Sequence, residues 1–427
     1  MLPALSQHRW LRWFAFATLY VAQGLPYGVF MIALPTWLSS TGASIATVAN
    51  FTAIVALPWS FKLLVAPLMD RLRWPALGSR RPWVILAQIG IVLPWLYLAF
   101  TPESHDIAVL TAFGFLLNFF GATQDVAVDG MAIELLPEHE RAHANSLMFA
   151  GQVLGISASS AGGAKLLQLY GLPAAAMMMG TITFAILLVP LLLRERPGEK
   201  LLPWTAGEAA ADHQREPIHA RVFARELLRA LLLPASLLIL LGQFLDRVAG
   251  GVFTGVMPSL STHALHWGPT VYPNWAATSG VAAAALGVAF APFIARAGTD
   301  RTFGMAVLAK LLLFLALAVT MPWWLLPGVM PAAIVLVSVL GQISSVAVVA
   351  LCMSACQPRI AATQFAIYMA TANLATASGG LLAGALARWG VDFGGMLLAA
   401  AALNALVLLF WRHVDIVTHR ARLEPVL

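Results

Sequence analysis

Seven ionisable residues stand inside apolar stretches of this sequence: Lys62, Asp125, Asp129, Lys165, Asp246, Arg247 and Lys310. A charge at mid-membrane costs at least ~2.5–3.5 kcal/mol on insertion scales, so such a group needs a partner or a wet cavity, and its default reading is functional. Asp125 and Asp129 are four positions apart, which sets both carboxylates on one face of a helix. Ionising both is costly, so the two can share a proton, the chemistry of proton coupling. The same carboxylates can instead hold the bundle together through an ion pair with Lys62 or Lys165. Asp246 and Arg247 are adjacent and point about 100° apart on a helix, so each needs its own partner. Asp246 is expected to face a cavity. Lys310 either neutralises a carboxylate across the bundle or meets an anionic solute. Among uncharged polar residues, Gln23, Tyr27, Asn118, Gln124, Gln152, Gln243, Gln342, Tyr368 and Asn373 fall in the same apolar stretches, with Trp59 as an aromatic companion. Each polar group needs a partner once desolvated. As a set they suit a solute rich in hydroxyls and amides; singly, each can equally tie two helices, at about 0.6 kcal/mol.

The elements that position these residues follow from composition. The chain has 427 residues, 60% hydrophobic and 10% charged. Soluble domains run at roughly 45–50% apolar and about 25% charged residues. A soluble enzyme and a disordered chain are both excluded by that contrast. At about 20 residues per crossing, the length accommodates about twelve transmembrane helices. Twelve apolar segments are read at 12–38, 46–67, 82–101, 107–134, 142–168, 173–193, 231–260, 274–295, 302–322, 328–355, 361–386 and 393–411. The first is too long for the apolar part of a signal peptide and is expected to be an uncleaved span. A Gly-Leu-Pro-Tyr-Gly break at 24–28 interrupts it, as is tolerated where a helix lines a cavity or packs on a neighbour. The expected organisation is an N-terminal six-helix half over 1–193, a cytoplasmic linker over 194–230 and a C-terminal six-helix half over 231–427.

With the N-terminus cytoplasmic, inside segments hold 20 of the 25 Lys and Arg and outside loops hold one, Arg388. That asymmetry sets both termini in the cytoplasm. It also accounts for the net charge of +6, so nucleic acid is not an expected partner. Lipid, protons and a small-molecule solute are, with the chain acting as a monomer in a bacterial inner membrane. Cys352 and Cys356 are the two cysteines and form neither a zinc set nor a disulfide framework. No cofactor or metal is expected. His139-Glu140-Arg141-Ala142-His143 spells the H-E-x-x-H of zinc proteases, but it lies in a short loop after Pro137 with no third ligand near it, and reads as a polar helix start. Trp37, Trp83, Trp323, Trp324 and Trp411 fall at span ends and read as an aromatic belt. Gly151, Gly155, Gly162 and Gly163 read as close helix packing.

The two halves echo each other. Asp70-Arg71 follows the second segment and Asp300-Arg301 the eighth. Gly162-Gly163 is answered by Gly379-Gly380, and Pro137 by Pro358. Twelve spans in two repeated halves resemble the major facilitator architecture, an all-α membrane fold of two pseudo-symmetric six-helix halves. Asp70-Arg71 with Arg80-Arg81 resembles the cytoplasmic signature of that superfamily, and with Asp300 and Arg301 is expected to form a cytoplasmic gate of charges at helix ends.

Closer still is the resemblance to AmpG-type muropeptide permeases and acetyl-CoA transporters. It is carried by Gln23-Gly24-Leu25-Pro26, by Phe61-Lys62-Leu63-Leu64-Val65-Ala66-Pro67-Leu68-Met69-Asp70-Arg71, and by Arg80-Arg81-Pro82-Trp83 with Gln88. Thr123-Gln124-Asp125-Val126-Ala127-Val128-Asp129-Gly130, Leu136-Pro137 and Glu140-Arg141 continue it, then Asp246 and Ala362-Thr363-Gln364-Phe365-Ala366. The resemblance implies proton-driven import of a bulky polar solute, a cell-wall anhydro-muropeptide for AmpG-like members and a siderophore for related ones. It also implies an acidic-Arg loop at 140–141 with no zinc role. Those permeases tend to carry Tyr-Arg where Gly151-Gln152 stands here, so a cavity arginine is missing. A proton/drug antiporter, a polytopic membrane enzyme and a non-transporting sensor are the other classes open to such a sequence.

Overall fold

The computed structural model describes residues 4–72, 74–101, 106–208, 220–357, 360–416 and 418–419. Pro358, Arg359, Arg215, Arg420 and Arg422 lie outside them. Fourteen α-helices carry the described chain, and its only β pairing is two isolated bridges. In the first part of the chain these are α1 (Arg9–Gly28), α2 (Leu34–Ser40), α3 (Ile45–Ala56), α4 (Lys62–Arg71), α5 (Arg81–Phe100), α6 (Ile107–Leu135) and α7 (Glu138–Leu192). Then come α8 (Ala220–Leu232), α9 (Pro234–Ser259), α10 (Val271–Ala297), α11 (Thr299–Val319), α12 (Val329–Ser354), α13 (Ala361–Arg388) and α14 (Phe393–Trp411).

Among the described residues, ten segments are long and apolar enough to cross a membrane. One of them, His143–Leu192, is 50 residues long. At 1.5 Å per residue that is about 75 Å, more than twice a bilayer's hydrocarbon core of about 30 Å. It is the fifth and sixth expected spans run together. The turn expected between them reduces to one residue, Gly171, at φ 77° and ψ −178°, a conformation only glycine adopts without strain. Among the described residues, counting its two arms and adding the 27-residue α10, which is not one of the ten, gives as many helical segments as the twelve expected from composition.

The break expected at 24–28 is displaced. Helix α1 runs through Pro26, and the irregularity falls just after it, as a π-helical turn over Val29–Ala33. A prolyl nitrogen cannot donate to the turn before it, and widening the next turn absorbs the mismatch. Helix α9 does the same: Pro258 is followed by a π-turn over Leu260–Ala264. The second span is broken too. Between α3 and α4 the chain tightens into a 3₁₀ turn, Leu57–Phe61, with Pro58 in its first turn. That turn carries Trp59 and delivers Lys62 as the first residue of α4.

Glycines let α1 and α7 meet backbone to backbone. A methyl group on Gly24 would lie 2.5 Å from the carbonyl oxygen of Gln152, and one on Gly155 2.3 Å from that of Val21. Gly151 and Gly163 are also in contact, but nothing lies within 4 Å of a methyl on Gly162, which does not serve packing. In the second half Gly251 and Gly379 bring α9 and α13 together in the same way.

By contacts the chain forms two compact units. One comprises Met1–Trp37, Ile54–Arg215 and Pro269–Ala277; the other Leu38–Ala53, Glu216–Gly268 and Thr278–Leu427. The first is centred on Phe16, Leu19, Met69, Val84, Val128 and Met148. The second is centred on Ile239, Phe303, Val307, Val348, Leu351 and Tyr368.

Candidate functional site

In the first unit α1, the 3₁₀ turn, α4 and α6 converge on one polar cluster. The Lys62 ammonium pairs with Oδ2 of Asp125, whose side chain is only 8% exposed. The same ammonium lies 4.8 Å from the centre of the Trp59 ring, a cation–π distance. The indole N–H of Trp59 donates to Oδ1 of Asn118 at 2.9 Å, and the Asn118 amide donates to Gly114 O at 2.9 Å. Tyr27 completes the group, its ring edge-on to Trp59 at 6.5 Å. One helical turn beyond Asp125, Asp129 is exposed and accepts a hydrogen bond from the Tyr20 hydroxyl. The i, i+4 carboxylates are therefore unequal. Asp125 is buried against a cation; Asp129 is open and meets a phenol. Lys165 is exposed and partners neither.

The second unit has a matching pair. Asp246 on α9 is bonded to Lys310 on α11, and both are buried. Ser344 on α12 bridges them, accepting from Lys310 Nζ at 2.9 Å and donating to Asp246 Oδ2 at 3.4 Å. Lys310 thus neutralises a carboxylate. Arg247 points elsewhere and donates to Ser345 Oγ at 2.6 Å. Among the described residues, each unit therefore carries a Lys–Asp pair with a buried carboxylate, part-buried at Lys62 and fully buried at Lys310, and such a pair is costly to break once made.

Of the other expected cavity residues, three serve as ties between helices. Gln124 donates to Leu19 O at 2.7 Å. Gln243 donates to Tyr368 O at 2.6 Å, and the Tyr368 hydroxyl donates to Ser236 Oγ at 3.0 Å. All three are buried, and a buried amide or phenol is held where its hydrogen bonds are met. They depart from the cavity lining expected of them. Gln152 and Gln23 contact each other at 3.4 Å. Gln342 lies beside Gly287 on α10, and Asn373 is half-buried on α13.

These helices, their paired repeats and the crossing count describe a family, and residues 16–244 match the Major Facilitator Superfamily. The chain belongs to the major facilitator superfamily. Two solved structures of similar fold align along nearly the whole chain. A mutant of the nucleoside transporter NupG gives a TM-score of 0.69 at 10% identity, covering 94% of this chain and 99% of that one. The POT family transporter PepTSo gives 0.67 at 13%, covering 95% and 99%. At such identities the likeness is one of fold. By sequence the chain is 30% identical over 166 residues to a putative transporter AmpG 4 of Rickettsia conorii, 38% of this chain and 39% of that protein. It is 28% identical over 138 residues to the anhydromuropeptide permease of Escherichia coli, 32% and 28%. The chain thus spans about a third of the length of the curated relatives it matches. The AmpG-type resemblance read from the motifs is carried by these relatives.

The expected gate residues of this major facilitator chain are used more locally than anticipated. Arg71 is exposed at the end of α4, and the Asp70 side chain lies outside the described residues. Arg80 Nε donates to Glu134 at 3.1 Å. Arg81 is fully buried and donates to the carbonyls of Leu77, Pro190, Leu191, Lys200 and Leu201. Asp300 lies in the first turn of α11, where a carboxylate suits the helix dipole, and its carbonyl accepts from Trp411 Nε1 at 2.8 Å. Arg301 is exposed.

Sequence reasoning missed the acid at the centre of this region. Glu195 accepts from the backbone N–H of Ser79 (2.9 Å), Arg80 (2.7 Å) and Arg81, and so caps α5 from across the fold. Burial raises its carboxyl above the usual range, against the pull of those three N–H groups. Glu199, also buried, is pushed up to about 7, first by desolvation and then by the charge of Glu195, while the Arg196 N–H it accepts from works against the shift. The available signal was two acids, Glu195 and Glu199, set among basic residues just past span six, with Pro82 marking a helix start in need of a cap.

The H-E-x-x-H residues are spent otherwise. Both oxygens of Glu140 accept from Arg12, at 2.8 and 2.9 Å, and His143 packs against Trp13 with the rings tilted by 48° and centroids 4.3 Å apart. Of the belt tryptophans, Trp323 is exposed, but Trp83, Trp324 and Trp411 are buried. Their indole N–H groups tie to the carbonyls of Leu72, Leu317 and Asp300.

Proposed function

We propose that this chain is a proton-coupled importer of a bulky polar solute, an anhydro-muropeptide, across a bacterial inner membrane. The observation that carries this reading is the unequal carboxylate pair of α6. Asp125 has a cation in Lys62, while Asp129 is exposed and has the Tyr20 hydroxyl. Asp129 takes up and releases the proton. Asp125 and Lys62 pass the change of charge to α4 and to Trp59 and Tyr27, which meet the solute, with Asn118 holding the Trp59 indole. The two six-helix halves, 1–193 and 231–427, then alternate access, joined by the linker 194–230. Both termini lie in the cytoplasm, as the distribution of Lys and Arg supports, and the monomer suffices. The cargo is supported by the motifs shared with AmpG-type permeases.

A siderophore is the second reading. What favours it is Gln152, whose neutral amide meets Gln23 where the muropeptide pattern has an arginine.

The test is uptake into right-side-out membrane vesicles, with and without a protonophore. The panel holds a labelled GlcNAc-anhydro-muropeptide and several ferric siderophores. Protonophore-sensitive muropeptide uptake is the expected result. Siderophore uptake alone transfers the assignment to the second reading, and uptake of neither overturns both cargoes.

A further inference from the structure

Arg247 occupies the middle of α9, a helix of 26 residues within a membrane-spanning segment. A guanidinium carries five N–H donors and keeps its charge in a protein. Among the described residues, this one meets a single hydroxyl, Ser345 Oγ at 2.6 Å, and no carboxylate. The neighbouring Asp246 is committed to Lys310 and Ser344 on another side of the helix. Arg247 is also only half-buried, unlike Asp246 and Lys310. A cation at that depth without a counter-charge needs water or an anion beside it.

The partner helix is suited to the second. On α12, Ser338, Gln342 and Ser345 recur at i, i+4 and i+7, so they share one face. All three are half-buried, whereas Ser344, turned toward the Lys310–Asp246 pair, is buried. Ser338 also contacts Ser279 on α10 at 3.1 Å. The second unit thus presents a charged fork, two hydroxyls and an amide on adjoining helices.

We infer that Arg247, positioned by Ser345 and flanked by Gln342, binds a carboxylate of the transported solute. A planar guanidinium matches a carboxylate through two parallel hydrogen bonds. Arg247 brings a single charge, which suits one carboxylate group, because Lys310 is already neutralised by Asp246. This rests on the transporter reading above and adds the charge of the cargo group and the side chain that reads it.

The experiment is ligand-induced thermal stabilisation of the purified full chain in detergent, for wild type, R247Q, R247K and S345A. The probes are a GlcNAc-anhydro-muropeptide with free peptide carboxylates and the same compound fully amidated. A carboxylate-bearing ferric siderophore is run alongside. The expected result is that the acid form stabilises wild type, that R247Q binds it at least about tenfold more weakly, equivalent to ~1.4 kcal/mol, and that R247K recovers part of the loss. The amidated form binds wild type and R247Q alike. A purely structural tie between α9 and α12 predicts instead that both forms weaken equally in R247Q and S345A, which overturns the inference. If wild type binds neither muropeptide form, the proposed cargo falls, and the siderophore decides the present point. Binding that is lost in R247Q sustains it; no binding, or equal binding to both proteins, overturns it.

Discussion

Lys62 and Asp125 lie 63 positions apart in the chain and are joined by an ion pair over the face of Trp59. Three elements of different geometry meet in that contact. The 3₁₀ turn presents the indole, α4 begins on the lysine, and α6 supplies the carboxylate. Breaking one side of such a pair strands a charge, whereas removing both sides does not.

That asymmetry is measurable. Lys62→Met and Asp125→Asn are each expected to lower the stability of the folded chain by about 3 kcal/mol. The double variant is expected to lose less than either single. Thermal unfolding in detergent checks it, and additive losses would show that the two groups act separately.

Asp129 is expected to carry coupling without carrying stability. Asp129→Asn leaves the Lys62–Asp125 pair intact, so it is expected to fold normally, to retain energy-independent exchange of solute and to lose proton-driven accumulation. Tyr20→Phe removes one hydrogen bond to a charged group, worth about 1.5–3 kcal/mol. It is expected to weaken accumulation by about tenfold or more. Undiminished protonophore-sensitive uptake in Asp129→Asn would remove the carboxylate from the mechanism.

The glycine contacts predict a contrast within one helix. A methyl on Gly155 meets the backbone of Val21 at 2.3 Å, and backbone cannot give way as a side chain can. Gly155→Ala is expected to cost about 1–3 kcal/mol through overpacking. Gly162→Ala, which meets nothing within 4 Å, is expected to be neutral or slightly stabilising, since alanine is the better helix former. Unfolding midpoints of the two variants decide it.

Glu199 predicts a pH dependence outside the membrane-spanning helices. Its carboxyl sits at about 7 in the folded chain against an ordinary value of 4.5. Between those values the folded chain holds the proton that the unfolded chain has released. Stability from this group is therefore present below pH 4.5, declines as the pH rises through the window, and is lost above about 7. Amide exchange at residues 195–201 is expected to quicken over that range, and Glu199→Gln is expected to flatten the profile. An unchanged profile in Glu199→Gln would assign the dependence to another group.

Much of this was legible because a membrane imposes simple rules. Twelve apolar segments, a basic linker and the offsets between Asp70-Arg71 and Asp300-Arg301 suffice for the architecture, since apolar length and loop charge need no tertiary information. The motif Thr123–Gly130 likewise announced two carboxylates on one face, because helical periodicity is local. Trp83, Trp324 and Trp411 show where local rules stop. Their place at span ends suggested a lipid boundary, but each is buried with its N–H on a backbone carbonyl, of Leu72, Leu317 and Asp300 respectively.

The sequence by itself determined which residues are out of place in a membrane, and how many helices must enclose them. Partner choice belonged to the tertiary structure alone. That Asp125 takes Lys62 while Asp129 takes Tyr20, that Asp246 takes Lys310 and leaves Arg247 with one hydroxyl, and that Glu195 reaches back to cap α5 all depend on helix rotation and approach. Rotation is set by where Gly24, Gly155, Gly251 and Gly379 allow backbones to touch, and by the irregular turns after Pro26 and Pro258. Those are contacts between residues far apart in the chain. A one-residue turn of a helix moves a side chain by about 100°, enough to exchange one partner for another without altering a single periodicity.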